Sequence, residues 1–364
     1  MTKYRADHVG SFLRPRDLVE ARTQSTEGRL ALEGLRRIED RAILDALEMQ
    51  RQVGLDVFTD GEYRRYSFMT DMVDAVEGFV PGTVGMEWRG PAGGTRVGFQ
   101  WVVGARLRQT HRLTAHEISF LKDHSPGPFK ITIPSPNLFV LGGYKPGVTN
   151  QFYSSRSELL GEMVGIIRRE IQAVVDEGVP YIQMDAPNYT RFADDRLRDR
   201  MRQAGVDPDR ELDEEIAADN ACLEGAGRKG VTLAIHLCRG NSQSRWLAEG
   251  SYDAIAEKLF RSLPVDRFLL EYDTERAGGF EPLRFVPKSK TVVLGLITTK
   301  EGRLETQEEI RRRIEEASKY VPLENLALSP QCGFASSLPG NLLSRDDQRR
   351  KLELVVAAAR RMWG

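Results

Sequence analysis

The sequence alternates short, strongly apolar segments with longer segments of helical periodicity, and this alternation is what most restricts its fold. Eight segments are short and rich in apolar or β-branched residues, at 6–12, 56–61, 129–135, 181–187, 232–238, 267–273, 291–298 and 326–332. Helical patterns follow most of them, as at 33–53, 155–178, 213–229, 306–319 and 345–363. Apolar strands that alternate with helices are typical of a parallel sheet buried on both faces. Eight such units predict an α/β fold of the (β/α)8, or TIM, barrel type.

A doubly wound open sheet is the alternative arrangement of such units. That fold often carries a glycine-rich G-x-G-x-x-G turn after a strand, where it binds a dinucleotide. No turn of this pattern follows a predicted strand in this sequence. The barrel is therefore the favoured prediction.

Two stretches exceed what a minimal barrel needs. Residues 80–112 include the alternating run RVGFQWVVGARL, which predicts a β-hairpin at roughly 96–107, inserted after the second βα unit. Residues 188–212 are polar and charged and follow the fourth predicted strand, so we expect a long loop with a helix that forms a candidate lid. Neither stretch has a linker rich in Gly, Ser or Pro, and we expect residues 1–364 to form a single domain.

Composition excludes several classes of function. The chain has 52 basic and 53 acidic side chains and a net charge of −1, so nucleic acid is not an expected partner. No apolar run reaches the ~18 residues of a membrane-spanning helix, and the start MTKYRADHVG lacks an apolar signal region. We expect a cytoplasmic protein. Its three cysteines cannot form a disulfide framework and suit burial, metal binding or catalysis.

Two of the three cysteines lie at predicted strand ends together with a histidine and a carboxylate. His236 and Cys238 are two residues apart in a predicted strand, so their side chains point to the same side. Glu271 comes from the next strand and Cys332 from the eighth. A histidine, a carboxylate and two thiolates can form a tetrahedral zinc site. The alternative is a core histidine with two buried cysteines, and we interpret the remaining cysteine, Cys222, as a core residue.

At these positions the chain resembles the catalytic domain of cobalamin-independent methionine synthase, and most of all the short stand-alone members of that superfamily. The resemblance depends on seven motifs that occur in order: HVGSFLRP (8–15), TDGEYRR (59–65), YIQMDAPNY (181–189), IHLCRGN (235–241), FLLEYDTERAG (268–278), LGLITTKEG (294–302) and SPQCGFAS (329–336). It implies a barrel with a zinc ion at its top, bound by His236, Cys238, Glu271 and Cys332. It also implies that a substrate thiol binds the zinc as a thiolate, displaces Glu271 as the labile ligand, and attacks an electrophilic carbon.

The resemblance also implies contacts to the substrate. Ser11, Glu62 and Asp185 match the residues that bind the amino-acid part of homocysteine in the methionine synthases. Two carboxylates beside an ammonium group act as charge-assisted acceptors. His8 is a possible proton carrier or a partner of the site, and Arg239 and Asn188 are further possible contacts. A core histidine bonded to the backbone is the alternative for His8.

Three features differ from the full-length methionine synthases. Ala186 stands where those enzymes have the glutamate of an Asp-Glu-Pro sequence, and Lys300 stands where they have a catalytic histidine. We also expect no counterpart of their additional amino-terminal barrel within these 364 residues. A lysine keeps its charge near neutral pH unless it is strongly buried, so we predict that Lys300 clamps an anionic group of a substrate or donor. A solvent-exposed loop lysine is the alternative.

The predicted function is zinc-dependent alkylation of a thiol, by methyl transfer from a methylfolate or a methyl-corrinoid donor, such as a corrinoid protein. An alternative is the opening of an epoxide by coenzyme M or a similar thiol, as in related epoxyalkane:coenzyme M transferases. A metal hydrolase is a further alternative, although hydrolytic metal sites usually have fewer thiolates. A non-catalytic barrel with a closed structural zinc ion is another, and it would need a fourth permanent ligand. A homodimer is a possible assembly.

Overall fold

The computed structural model describes residues 4–90, 95–228 and 230–364. Six parallel strands form the main sheet: β3 (Lys130–Pro134), β4 (Tyr181–Asp185), β5 (Thr232–Leu237), β6 (Arg267–Glu271), β7 (Thr291–Ile297) and β8 (Leu326–Pro330). Their order in the sheet follows their order in the chain, and each neighbouring pair is parallel. A doubly wound sheet would reverse its strand order at one point, and this sheet does not. The predicted α/β fold with a parallel sheet is confirmed.

Each of these six strands ends one or two residues before the predicted end. The first two predicted strands, at 6–12 and 56–61, are wrong as strands, because each forms only an isolated bridge. Ala6 pairs in parallel with Leu328 of β8, and Phe58 pairs in parallel with Phe129 beside β3. The further hydrogen bonds of these segments do not form a continuous ladder, and side chains take part in some of them, as when the Thr59 hydroxyl donates to the Gly10 carbonyl at 2.7 Å.

Helices connect and flank the strands: α1 (Arg16–Thr26), α2 (Leu32–Val53), α3 (Thr70–Ala75), α4 (Ala115–His124), α5 (Pro136–Gly143), α6 (Arg156–Asp176), α7 (Asp195–Gln203), α8 (Pro208–Leu223), α9 (Asp253–Ser262), α10 (Gln307–Ala317) and α11 (Arg345–Trp363). Short 3-10 turns occupy Thr149–Gln151, Pro187–Phe192, Glu275–Ala277, Glu281–Phe285 and Leu323–Asn325. Local chemistry sets several boundaries. A capping box of Thr306 and Glu309 begins α10, and Gly54, with φ of 87°, ends α2. None of the described helices is long and apolar enough to cross a membrane.

A separate antiparallel pair of strands lies in the region that was predicted to hold a hairpin. It consists of β1 (Val76–Trp88) and β2 (Thr95–Gln109), so it begins earlier than the predicted range of 96–107. Aromatic rings join this pair to α5. Phe79 and Trp101 each have a ring centroid 6.2 Å from that of Phe139. The pair therefore packs on the helix that follows β3.

Buried side chains form two clusters, one on each face of the strands. The larger cluster contains Ile182 and Met184 of β4 and Ile235 of β5. The smaller contains Tyr4, Val9, Val57, Tyr181, Ala234, Leu269, Val293 and Ala327. Alternate residues of a strand point to opposite faces, so Gln183 and Asp185 share the face of Tyr181. By the same rule, polar residues near the carboxyl ends of the strands share one face with the smaller cluster.

Candidate metal centre and its cavity

Three of the predicted metal ligands meet at the carboxyl ends of β5 and β8. Each residue offers one ligand atom, which is a ring nitrogen in His236 and the Sγ atom in Cys238 and Cys332. These three atoms lie within 4.8 Å of one another. All three residues are buried, with exposed fractions of 3–4%. Neither ring nitrogen of His236 has a hydrogen-bond partner within the described structure. A buried imidazole without partners beside two thiols fits a metal ion that prefers nitrogen and sulfur ligands.

Electrostatics also favour an ionised thiol here. Cys332 accepts a hydrogen bond from Cys238, and this lowers the pKa of Cys332 although burial opposes the effect. His236 lowers the pKa of the same thiol further. Thiolate is the form that binds metal.

Glu271, the fourth predicted ligand, is fully buried at the end of β6 and already has two partners. The backbone amide of Arg239 donates to its Oε2 at 2.8 Å, and the Arg276 guanidinium donates to its Oε1 at 3.3 Å. Glu271 is not part of the group whose ligand atoms lie within 4.8 Å of one another. Its role as a fourth or labile ligand stays a prediction.

A second cluster of potential ligands, Asp71, His116 and Glu117, does not suit a metal ion. Arg65 already supplies the positive charge. Its Nε and Nη2 donate to the two oxygens of Glu117 at 2.6 Å, and its Nε lies 2.5 Å from Oδ2 of Asp71. We interpret this group as a buried ion-pair cluster, because a cation placed among these carboxylates would be repelled by the guanidinium.

A cavity of about 630 Å³ opens over His236, Cys238 and Cys332, the candidate metal-binding cluster. It is lined by predicted site residues, namely Ser11, Glu62, Asp185, Asn188, His236, Cys238, Arg239 and Cys332. The apolar part of its wall was not predicted from the sequence. That wall includes Met86 and Trp88 of β1 together with Leu197 and Met201 of α7. The predicted hairpin and the candidate lid at 188–212 were the signals that could have identified this wall.

Glu62 occupies a strained turn at the floor of this cavity. Its φ of 58° lies in the left-handed region, which a residue with a side chain rarely adopts. The Thr132 hydroxyl donates to Oε1 at 2.9 Å, while Oε2 is buried and has no partner in the described structure. Burial raises the pKa of Glu62, although Arg65 opposes this. A carboxylate oxygen without a partner is available to a cationic group of a ligand.

Asp185 and Asn188 lie on the same side of the cavity, at and after the end of β4. The Gln183 side-chain amide donates to Oδ1 of Asp185 at 2.8 Å, and burial raises the pKa of Asp185 to about 7. The Asn188 amide donates to Oε2 of Glu215 at 2.8 Å, while its own Oδ1 is buried without a partner in the described residues. The cavity therefore presents several oxygen acceptors next to the metal-binding cluster.

Lys300 and His8 are not among the residues that line this cavity. The ammonium of Lys300 donates to the Gly240 carbonyl and to Oδ1 of Asn241, both at 3.1 Å, and to the Arg245 carbonyl at 3.2 Å. His8 bonds through Nε2 to the Val57 carbonyl at 3.0 Å, and burial lowers the pKa of its ring to about 3.

Arg239 lines the cavity, but its guanidinium faces the chain around it. It donates to the Glu271 carbonyl at 3.0 Å, to the Tyr252 hydroxyl at 3.1 Å and to the Gly250 carbonyl at 2.7 Å. Arg239 therefore fixes the backbone beside Cys238 and Glu271.

Comparison with known proteins assigns the chain to a family. The model of the family described as cobalamin-independent synthase, catalytic domain, matches residues 145–361, which is more than half of the chain. The chain belongs to this family. The superfamily resemblance drawn from the sequence motifs is confirmed.

Members of the cobalamin-independent synthase family and related proteins match along nearly the whole chain. Two Bacillus subtilis proteins named as uncharacterized, YxjH and YxjG, are each 39% identical to it over 99% of the chain and 95% of their own length. A protein of Saccharolobus solfataricus named methionine synthase is 24% identical over 96% of the chain and 91% of its own length.

Solved structures resemble the whole chain as well. A Listeria monocytogenes protein described as a candidate vitamin-B12-independent methionine synthase has a TM-score of 0.75 and 29% identity, over 100% of this chain and 99% of its own. A B12-independent methionine synthase from Shewanella sp. W3-18-1, in complex with selenomethionine, has a TM-score of 0.75 and 22% identity, over 98% and 97% of the two chains. At that identity the second likeness concerns the fold alone.

Proposed function

We propose that this protein transfers a methyl group to the thiol of an amino acid of the homocysteine type, with a zinc ion as cofactor. The observation that carries the proposal is the position of the metal-binding cluster at the floor of a cavity that also holds two carboxylates. Family membership supports methyl transfer, and methionine synthases are among the relatives. The proposed donor is a methylfolate or a methyl-corrinoid.

His236, Cys238 and Cys332 would bind the zinc ion, with Glu271 as the fourth ligand that a substrate replaces. When bound, zinc lowers the pKa of a coordinated thiol and so provides a nucleophile at neutral pH. Glu62 and Asp185 would hold the ammonium group of the substrate, and Ser11 lies beside them in the same cavity. The apolar wall excludes water from the reacting groups. The substrate thiol would release its proton to solvent, and its sulfur would then form a bond to the methyl carbon as the bond between the methyl group and the donor breaks, the donor leaving with that electron pair.

The arrangement of charge argues against the epoxide-opening alternative with coenzyme M. A sulfonate group would need cations close to the metal-binding cluster. The cavity presents Glu62 and Asp185 there, while the Lys300 ammonium is bonded to three oxygens of residues 240–245. The arginines that line the cavity are also engaged: Arg156, Arg191 and Arg200 pair with glutamates, and Arg239 bonds to the chain around it. An ammonium-bearing thiol is the better match to these carboxylates.

We further propose that residues 1–364 work as one (β/α)8 catalytic domain in the cytoplasm. The Asp56 amide donates to the Ala6 carbonyl at 3.2 Å, so the two segments that flank the main sheet also contact each other. This contact, together with the bridges of Ala6 to β8 and of Phe58 to the segment before β3, supports closure of the sheet.

Metal content tests the proposed centre. We expect purified Cys238→Ser and Cys332→Ser proteins to contain far less zinc than the parent, because serine is a poor ligand for zinc. Cys222→Ser is the matched control, since Cys222 is a buried cysteine of α8 outside the cavity. Elemental analysis gives the result. Zinc content at the parental level in both variants would contradict the site.

Thiol binding tests the proposed substrate. Glu62→Gln and Asp185→Asn should each raise the Kd for homocysteine by roughly tenfold or more while zinc content stays at the parental level, since a hydrogen bond to a charged group contributes about 1.5–3 kcal/mol. Calorimetry on zinc-loaded protein measures the Kd, and mass spectrometry identifies the methylated thioether formed from each donor. Parental affinity in both variants would remove the amino-acid assignment.

A further inference from the structure

Gln183 is a fully buried residue of β4 that connects the interior of the sheet to the proposed substrate site. It lies on the same face of the strand as Asp185, two residues away. Its Nε2 donates to Oδ1 of Asp185 at 2.8 Å and to the Val9 carbonyl at 2.7 Å, and its Oε1 accepts from the Lys130 ammonium at 2.8 Å. Both N–H donors of the Gln183 amide and its oxygen therefore have hydrogen-bond partners.

These partners fix which way the amide of Gln183 points. If its oxygen and nitrogen were exchanged, the NH2 group would face the Lys130 ammonium, and the oxygen would face the Val9 carbonyl and the Asp185 carboxylate. The oxygen would then face two other acceptors, and the NH2 group would face another donor. A single orientation satisfies all the contacts, so the N–H aimed at Asp185 is held in place.

Lys130 is itself immobilised on the far side of Gln183. Its ammonium, fully buried in β3, donates to Oδ1 of Asp7 at 2.9 Å and to the His8 carbonyl. It also lies 5.0 Å from the ring centroid of Tyr181. Asp7 in turn accepts from the Tyr181 hydroxyl at 2.9 Å. The support behind Gln183 is thus built from the amino-terminal segment, β3 and β4, and each buried charge has a partner of opposite sign.

We propose that Gln183 is a positioning residue for substrate binding, which orients the Asp185 carboxylate so that one oxygen is occupied by the amide and the other faces the cavity. This inference rests on the proposed function, in which Asp185 binds the ammonium of an amino-acid thiol. Without the amide, the carboxylate can rotate and its alignment with the ammonium is lost. Gln183 itself need not touch the substrate.

The test compares two thiols that differ only in the ammonium group. Zinc-loaded protein is titrated calorimetrically with homocysteine and with 4-mercaptobutanoate, which lacks the amine. We expect Gln183→Met to raise the Kd for homocysteine by roughly three- to tenfold, the range of a single hydrogen bond, and to leave that for 4-mercaptobutanoate unchanged. In an Asp185→Asn background the same change should have no further effect, because both substitutions act through one contact.

Two further variants keep the test independent of folding. Gln183→Glu preserves size and the acceptor for Lys130 but removes both N–H donors, so it should weaken homocysteine binding as well. Gln348→Met is the matched control. Gln348 is a buried glutamine of α11 that accepts from the Leu13 amide at 2.7 Å, so its loss should lower thermal stability without altering thiol selectivity.

The outcomes separate the two proposals. If Asp185→Asn leaves homocysteine binding unchanged, the ammonium assignment fails, and with it the basis of this inference. If Asp185→Asn weakens binding but both Gln183 variants do not, the positioning role is overturned and the proposed function stands. Equal weakening of both thiols, or effects that add to those of Asp185→Asn, would show that Gln183 is merely structural and would also overturn the role.

Discussion

At the scale of single residues, Lys300 is a charged side chain close to the candidate metal centre that already bonds to the chain around it. Its ammonium has three donors, and all three are directed to oxygens of residues 240–245, immediately after Cys238. We expect Lys300→Ala to lower the free energy of unfolding by about 1–3 kcal/mol, because buried or half-buried acceptors lose their partner. Denaturant unfolding measures this change.

The clamp on an anionic group stays a prediction, and the same variant tests it. If Lys300 is such a clamp, Lys300→Ala will raise the KM of the anionic substrate or donor while the stability of the protein stays at the parental level. Lys319→Ala, at an exposed lysine after α10, is the control for loss of a surface charge. If Lys300→Ala changes neither stability nor KM, both interpretations are wrong.

Sequence reasoning located the candidate metal ligands better than the residues that surround them. His236 and Cys238 were found because the two-residue period of a strand places them on one side, and Cys332 because it follows the eighth predicted strand; the structure brings these three side chains together. The roles of Gln183 and Arg239 depend on contacts across strands that are far apart in sequence. No local pattern in the sequence reveals such contacts.

At the scale of elements, sequence periodicity identified the six central strands but overestimated the first two. The strands from β3 to β8 are bordered on both sides by strands or bridges, so backbone pairing and burial favour the same conformation. The segments at 6–12 and 56–61 combine apolar residues with Gly10 and Gly61, both at positive φ. Those conformations interrupt an extended ladder, and the result is one bridge in each segment.

For the candidate lid at 188–212, the sequence predicted the helix but not the element against which it packs. Residues 188–212 were predicted as a loop with a helix, and they contain a 3-10 turn, α7 and the start of α8. That α7 faces β1 follows from tertiary packing, where the Arg200 guanidinium donates to Oε2 of Glu87 at 2.6 Å. Partly exposed ion pairs of this kind have no sequence signature, since the two residues are separated by 113 positions.

At the scale of the whole molecule, the proposed closure of the sheet depends on a short seam between the segments around Ala6 and Asp56. The Asp56 carboxylate strengthens it, because Oδ2 accepts from the Arg5 amide at 2.6 Å and from the Ala6 amide at 2.9 Å. On its other side the amino-terminal segment pairs with β8, where the Asp7 amide donates to the Leu328 carbonyl at 2.9 Å. The seam therefore joins the first residues of the chain to its last strand.

Closure makes a prediction about Asp56→Ala. Two backbone amides lose their acceptor, so we expect the free energy of unfolding to fall by about 1–3 kcal/mol and hydrogen exchange to accelerate around Ala6 and Asp56. Asp266→Ala is the matched control, because Oδ2 of Asp266 accepts from the Leu233 amide at 2.9 Å, between β5 and β6. In Asp266→Ala, hydrogen exchange should accelerate around Leu233 and not at the seam. If Asp56→Ala leaves the exchange at the seam unchanged while Asp266→Ala behaves as expected, the carboxylate does not hold the sheet closed. Exchange at the seam that is already fast in the parent would mean that the sheet is open there in solution.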